Sequence, residues 1–253
     1  MLKSALLFSA LLTIAPGLQA RNEADSSGVA AKRQKFYRSS DMDWFVFSTT
    51  SMEKLTTGSS ITTLRFTAFP NFGMNFNYDI TNNIGLFTGI NMKNIGFIEK
   101  TALIDSTIKR RVLTIGMPLG IKFGNFEKHT FGFLGGGVDL PFHFKEKRYI
   151  RRGNKDKLSE WFSNRTARIM PYVFAGFAYS PGVILKFQFY PGNFLNNGFV
   201  DRINTSPTGP YTAFPYADYA RTTMLLFSIG FDIHYKKKKD TDSDAGAPEK
   251  REM

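Results

Sequence analysis

The sequence predicts an all-β fold: an antiparallel up-and-down transmembrane β-barrel of about eight strands, with short periplasmic turns and long external loops. Three observations carry this. Apolar residues alternate with small or polar ones over unusually long segments. The connections between those segments alternate between short and long. The N-terminus has the pattern of an export signal.

In chain order, Met1, Leu2 and Lys3 give a short positive start. Residues 4–18 form an apolar core, and Leu18, Gln19 and Ala20 end it on the small residue a cleavage site requires. Residues 1–20 are therefore expected to be a signal peptide. Residues 21–42 are polar and aperiodic and read as a flexible linker, followed by the barrel over 43–235. A tail over 236–253, basic and then acidic, reads as disordered and periplasmic.

The clearest strand covers 64–80. Leu64, Phe66, Phe72, Met74, Phe76, Tyr78 and Ile80 fall on one face, and Arg65, Gly73, Asn75, Asn77 and Asp79 on the other. Seventeen residues at ~3.3 Å each, tilted ~40°, rise roughly 40 Å, more than the ~25 Å apolar band of such barrels. Residues 113–123 and 225–235 repeat the pattern, with further strands expected over 84–97, 131–149, 172–179 and 183–190 and a weaker one over 44–49. Tight connections fall at 81–83, 125–128 and 180–182; long ones fall at 51–60, 99–106, 150–168 and 191–220. With the short turns in the periplasm, both mature termini are periplasmic too, as an even strand number demands. A soluble sandwich or lipocalin-like barrel would show the same alternation with the opposite face inward. The export signal, the strand length and the small or polar second face favour the membrane.

The segments PNFGMNFNYDITNNIGLFTGINMKNIGF (70–97), IKRRVLTIGMPLGIKFGN (108–125) and LLFSIGFDIHY at the end of the last strand resemble the outer-membrane β-barrel proteins of Bacteroidetes, the porin-like and small-barrel families. The resemblance covers about 45–235. It implies a fold and a bacterial outer-membrane location, and it brings no catalytic motif. Unlike many such barrels, this chain continues past its last aromatic strand residue into the tail at 236–253.

Charge and chemistry narrow the function. The net charge is +12, but the cations are scattered, so outer-membrane lipid and lipopolysaccharide are the expected partners rather than nucleic acid. There is no Cys, which removes disulfides, thiolate metal sites and a lipid anchor on Cys. No catalytic, cofactor-binding or metal-ligating set is readable. His143 with Asp139, and His234 with Asp232, are predicted inside but near opposite ends, too far apart for one acid–base site. The glycine run 135–137 lacks the Lys-Ser/Thr of a phosphate loop and reads as packing.

Carried through each strand, the alternation points Arg65, Asp79, Lys122, Asp139, His143, Lys145, Lys147, Lys186, Asp232 and His234 into the lumen. An ion-paired network is expected there, because a narrow barrel cannot hold these charges unpaired. Lys147, Arg148, Arg151, Arg152, Lys155 and Lys157 form a candidate lipopolysaccharide contact. The long aromatic loop at 191–220 is expected either to cover the barrel mouth or to meet an envelope protein complex. Asp105, Ser106 and Thr107 resemble a short O-glycosylation site. The expected function is a structural or accessory role in the envelope (integrity, adhesion, or part of a secretion or assembly complex). The alternatives are a small ion or solute channel and an outer-membrane lipid- or peptide-modifying enzyme.

Overall fold

The computed structural model describes residues 35–67, 71–101, 106–150, 154–179, 182–203 and 211–234. The expected signal peptide, the linker up to residue 34 and the tail lie outside them. Thirteen strands follow in order: β1 (Phe36–Lys54), β2 (Gly58–Ile61), β3 (Arg65–Thr67), β4 (Asn71–Asp79), β5 (Ile84–Thr101), β6 (Ser106–Asn125), β7 (Thr130–Ile150), β8 (Asn154–Trp161), β9 (Met170–Tyr179), β10 (Val183–Tyr190), β11 (Asp201–Ile203), β12 (Tyr211–Ala213) and β13 (Tyr219–His234). The main sheet runs β13-β10-β9-β7-β6-β5-β4-β1-β2, and β1 also pairs with β13. The antiparallel sheet therefore closes into a ring of 8 strands. Each long strand of the ring thus has a hydrogen-bonded neighbour on both sides, while β2 and β8 are paired on one side only among the described residues.

Two positions in the wall are broken strands. β2, β3 and β4 all pair with β1, and the register slips at each break: Asp43 faces Asn71, Val46 faces Thr67 and Ser51 faces Ile61. The single strand expected over 64–80 is thus two described strands, β3 and β4. The other break is at β8 and β9. β8 pairs with the upper half of β7 and β9 with its lower half. Two expected long loops are accordingly shorter. Residues 51–60 are mostly a β1–β2 hairpin, and 150–168 contain β8. The barrel also starts earlier than expected: 36–42, read as linker, belong to β1 and pair with β4, and from Ser39 onward with β13 as well.

Two bulges decide which residues face inward. In β1 the register passes from Asp43↔Gly230 to Phe45↔Ile229, leaving Trp44 as the extra residue. Below it Ser39 and Asp43 are buried; above it Val46, Ser48, Thr50 and Met52 are. In β7 the register passes from Thr114↔Pro141 to Leu113↔His143, so Phe142 is extra. Asp139 below it and Phe144 and Glu146 above it all turn inward. One added residue in a period-two strand exchanges the two faces beyond it.

The outer wall is apolar. On β6 Ile115, Met117, Leu119, Ile121 and Phe123 are all exposed, Leu119 at 66%. Phe72, Met74, Ile90, Leu134, Val173, Phe187 and Leu225 extend the exposed band around the ring. With Leu113, the β6 band covers residues 113–123, about 33 Å along the strand and ~25 Å of height at ~40° tilt. Asn77, Asp79, Lys93, Thr114, Lys122, Asp139 and Gln188 are buried within the ring instead. The facing is thus polar-in and apolar-out, the reverse of a soluble barrel. Among the described residues no helix is long and apolar enough to cross a membrane, which does not bear on crossing by strands.

Candidate functional site

The lumen is filled in layers. Near the 81–83 turn, Lys122 donates to Asp79 at 3.0 Å and to the Tyr37 hydroxyl at 2.8 Å. An aromatic layer follows, in which Phe87, Phe133 and Phe174 lie 5.8–6.2 Å apart in tilted or edge contacts. Inward glycines make this possible: a Cβ on Gly120 would sit 2.6 Å from the Phe87 ring. The central layer is ionic. Lys93 Nζ lies 3.1 Å from both oxygens of Asp139 and from Gln188 Oε1, and 3.5 Å from the centre of the Tyr172 ring. The Tyr190 hydroxyl donates to Asp139 Oδ2 at 2.6 Å. Beside this cluster Lys186 bridges Asp41 at 2.9 Å and Asp43 at 3.1 Å. A narrow cavity of about 50 Å³, room for about one or two waters, runs past the aromatic layer, lined from Asn77 and Lys122 to Lys93, Lys186 and Gln188.

Above the ionic layer, Val46, Ile95, Phe97, Val112, Phe194, Leu195, Met224 and Leu226 form an apolar layer. Over that sits a second ionic cluster. Arg110 donates to Glu99 at 2.5 Å and to Glu146 at 2.8 Å, Lys54 pairs with Glu99, and Tyr219 donates to Glu99 at 2.7 Å. The described parts of the following loop, 191–203 and 211–218, pack over this cluster. Phe194 packs edge-on against Phe97, and Phe194 N donates to the Thr222 carbonyl. Tyr216 donates to Glu146, and burial, then the neighbouring Glu146 charge, push its phenol up to about 12. Arg165 ties this loop to β8 through Asp201 at 2.6 Å and Glu160 at 3.0 Å. Burial opposes its charge, but these two carboxylates hold its pKa above the ordinary value.

No protein-family model matches the chain, and no curated protein does. Solved structures do match. Over 80% of this chain and 98% of that one, it is similar to Neisserial surface protein A, at 12% identity and a TM-score of 0.39. The attachment invasion locus protein Ail of Yersinia pestis matches over 78% of this chain and 97% of its own, at 14% identity and a TM-score of 0.28. The outer membrane protease OmpT from Escherichia coli matches over 83% and 99%, at 7% identity and a TM-score of 0.25. At these values the likeness bears on neither mechanism nor partner, and the ring closure rests on the strand register of this chain itself.

The structure brings together only part of the set expected in the lumen. Asp79 with Lys122, Asp139 and Lys186 lie inside. Arg65 is buried but bonds to the carbonyl and side chain of Asn94, and makes no ion pair with a described residue. His143, Lys145 and Lys147 are corrections. The Phe142 bulge turns them to the outer wall, where His143 stacks on Trp161 at 4.4 Å and bonds Ser159. His143 and Asp139 therefore lie on opposite faces and form no acid–base pair. The side chains of Asp232 and His234 are outside the described residues, as are Arg151, Arg152 and Asp105. Ser106 and Thr107 begin β6. Sequence reasoning missed Lys93, Glu99, Arg110, Glu146, Asp41 and Asp43. Lys93 and Glu99 share the inward parity of Asn91 on β5, a signal that was present. Glu146 was hidden by the bulge, Arg110 by the run of cations 109–111, and Asp41 by the linker assignment.

Proposed function

We propose that this chain is a bacterial outer-membrane β-barrel with both mature termini in the periplasm and a structural or accessory role in the envelope that involves no catalysis. The observation that carries the reading is a closed ring with an apolar band outside and ion-paired, aromatic layers inside. That facing suits lipid around the wall, and the layers suit a lumen that conducts nothing. The resemblance of 70–97 to Bacteroidetes barrels supports the same location. With the mouth covered by its own loop, the surface left for a partner is the exposed upper rim. There an open cleft of about 780 Å³ lies between the segments around Asn164 and Asn196. An envelope protein complex fits there better than a transported solute. Planar-bilayer recording of the purified barrel tests this: no stepwise conductance is expected. Steady unitary steps from wild-type protein would put the channel reading in its place.

A further inference from the structure

We propose that the outer wall of β6, β7 and β8 binds the phosphates of a phosphorylated glycolipid headgroup, directly above the apolar band. This rests on the membrane reading given above. Lys109, Lys147 and Lys157 are direct partners across three adjacent strands. Arg111 and Lys145 are partners in the row two residues below, and Lys155 lies opposite Tyr149 in the row above. Neighbouring strands lie ~4.8 Å apart, so the three lysines span roughly 10 Å. Like charges placed directly opposite one another destabilise a sheet. A bound anion turns that repulsion into attraction.

The face is made for this charge alone. Its other positions at these levels are Thr107, His143, Tyr149, Ser159 and Trp161. The carboxylates of the hairpin, Glu146, Asp156 and Glu160, take the opposite parity. None of the six cations forms an ion pair with a described residue. On the wall formed by β1 and β13, by contrast, a carboxylate stands opposite a cation, with Glu53 facing Arg221. Lys109 and Lys155 flank the Tyr149 ring at 5.4 and 5.3 Å. Just below, Phe142, Trp161 and His143 stack at the upper edge of the apolar band, the level where aromatic residues meet lipid headgroups. A headgroup anchored by its acyl chains along Leu113 and Leu140 would meet the basic rows with its phosphates. Arg148, expected in this set, instead takes the other face and pairs with Glu146 at 3.4 Å.

The test uses the mature barrel in phosphatidylcholine vesicles containing either bis-phosphorylated lipid A or its dephosphorylated form. Wild-type protein should retain the phosphorylated lipid at least tenfold more strongly. The variant Lys109→Gln/Lys147→Gln/Lys157→Gln should lose that preference. In pure phosphatidylcholine the same variant should unfold at a higher temperature than wild type, because the repulsion is gone; Arg221→Gln should keep the preference. Equal retention of the two lipids, an unchanged preference in the triple variant, or displacement of the lipid by micromolar inorganic phosphate would each overturn the site. Failure of wild type to insert into uncharged vesicles would instead overturn the membrane reading and the site with it.

Discussion

Asp139 has no exposed surface and holds Lys93 and Tyr190 at once. Its removal leaves a buried ammonium bonded to Gln188 and Tyr190 against an aromatic face, without its ion-pair partner. Breaking a buried pair from one side costs about 3–5 kcal/mol, whereas replacing both partners with apolar groups is often close to neutral. Asp139→Ala should therefore lower the urea midpoint of the folded barrel strongly, and Lys93→Met/Asp139→Leu should restore most of it. A double variant as unstable as the single one would show that the pair does more than neutralise itself. Gly116 faces Asp139 directly, and a Cβ there would sit 2.0 Å from Asp139 Oδ1 and 2.4 Å from Asn91 Oδ1. Gly116→Ala should cost about 1–3 kcal/mol by displacing the carboxylate, measured by the same unfolding curve.

The β7 bulge is where a strand changes what it offers to lipid and to lumen. Impermeant maleimide on whole cells should label Lys145→Cys and spare Glu146→Cys; the opposite pattern would mean that the inward parity of Asp139 runs unbroken to the strand's end. The bulge also explains how much of the strand was legible. Alternation puts Asp139 on the inward face that it takes, but it contains no mark at Phe142 that a residue will be skipped, so carrying it on sends His143, Lys145 and Lys147 into the lumen. β1 was obscured twice. Its lower half, FYRSSDMD, buries Ser39 and Asp43 rather than apolar side chains and so looks like a linker, and the Trp44 bulge then reverses the pattern. β8 alternates lysine with acid or leucine, a rhythm that hydropathy does not register. β10 was readable to the residue, and the alternating 113–123 part of β6 was too, but its start over 106–112, where cations and Thr interrupt the pattern, was not.

The ring of 8 strands was legible as a whole because short and long connections sort strand ends without needing any side chain placed. The filling of its interior was not, since it depends on pairs from strands far apart in sequence. Two measurements address the assembled barrel. Leu119, in the middle of the β6 band, should tolerate arginine badly: Leu119→Arg should cost about 2–4 kcal/mol in bilayers at the midplane. A cost near zero would remove lipid from that face. Cysteine at Thr56, in the β1–β2 turn, should be reached from outside the cell, and cysteine at Asn82 should not. The bridge from Lys186 to Asp41 and Asp43 has a further consequence. It joins β10 to β1 across the inner surface of β13, and Gly230, facing both Asp43 and Ile184, leaves the gap it crosses: a Cβ there would meet Asp43 Oδ1 at 3.0 Å. Such a strap reaches across one strand and no further, since each added strand moves its ends about another 4.8 Å apart. An extra chain wedged into the seam would strand three charges in the interior. The ionic clasp thus penalises a barrel that closes around a foreign strand.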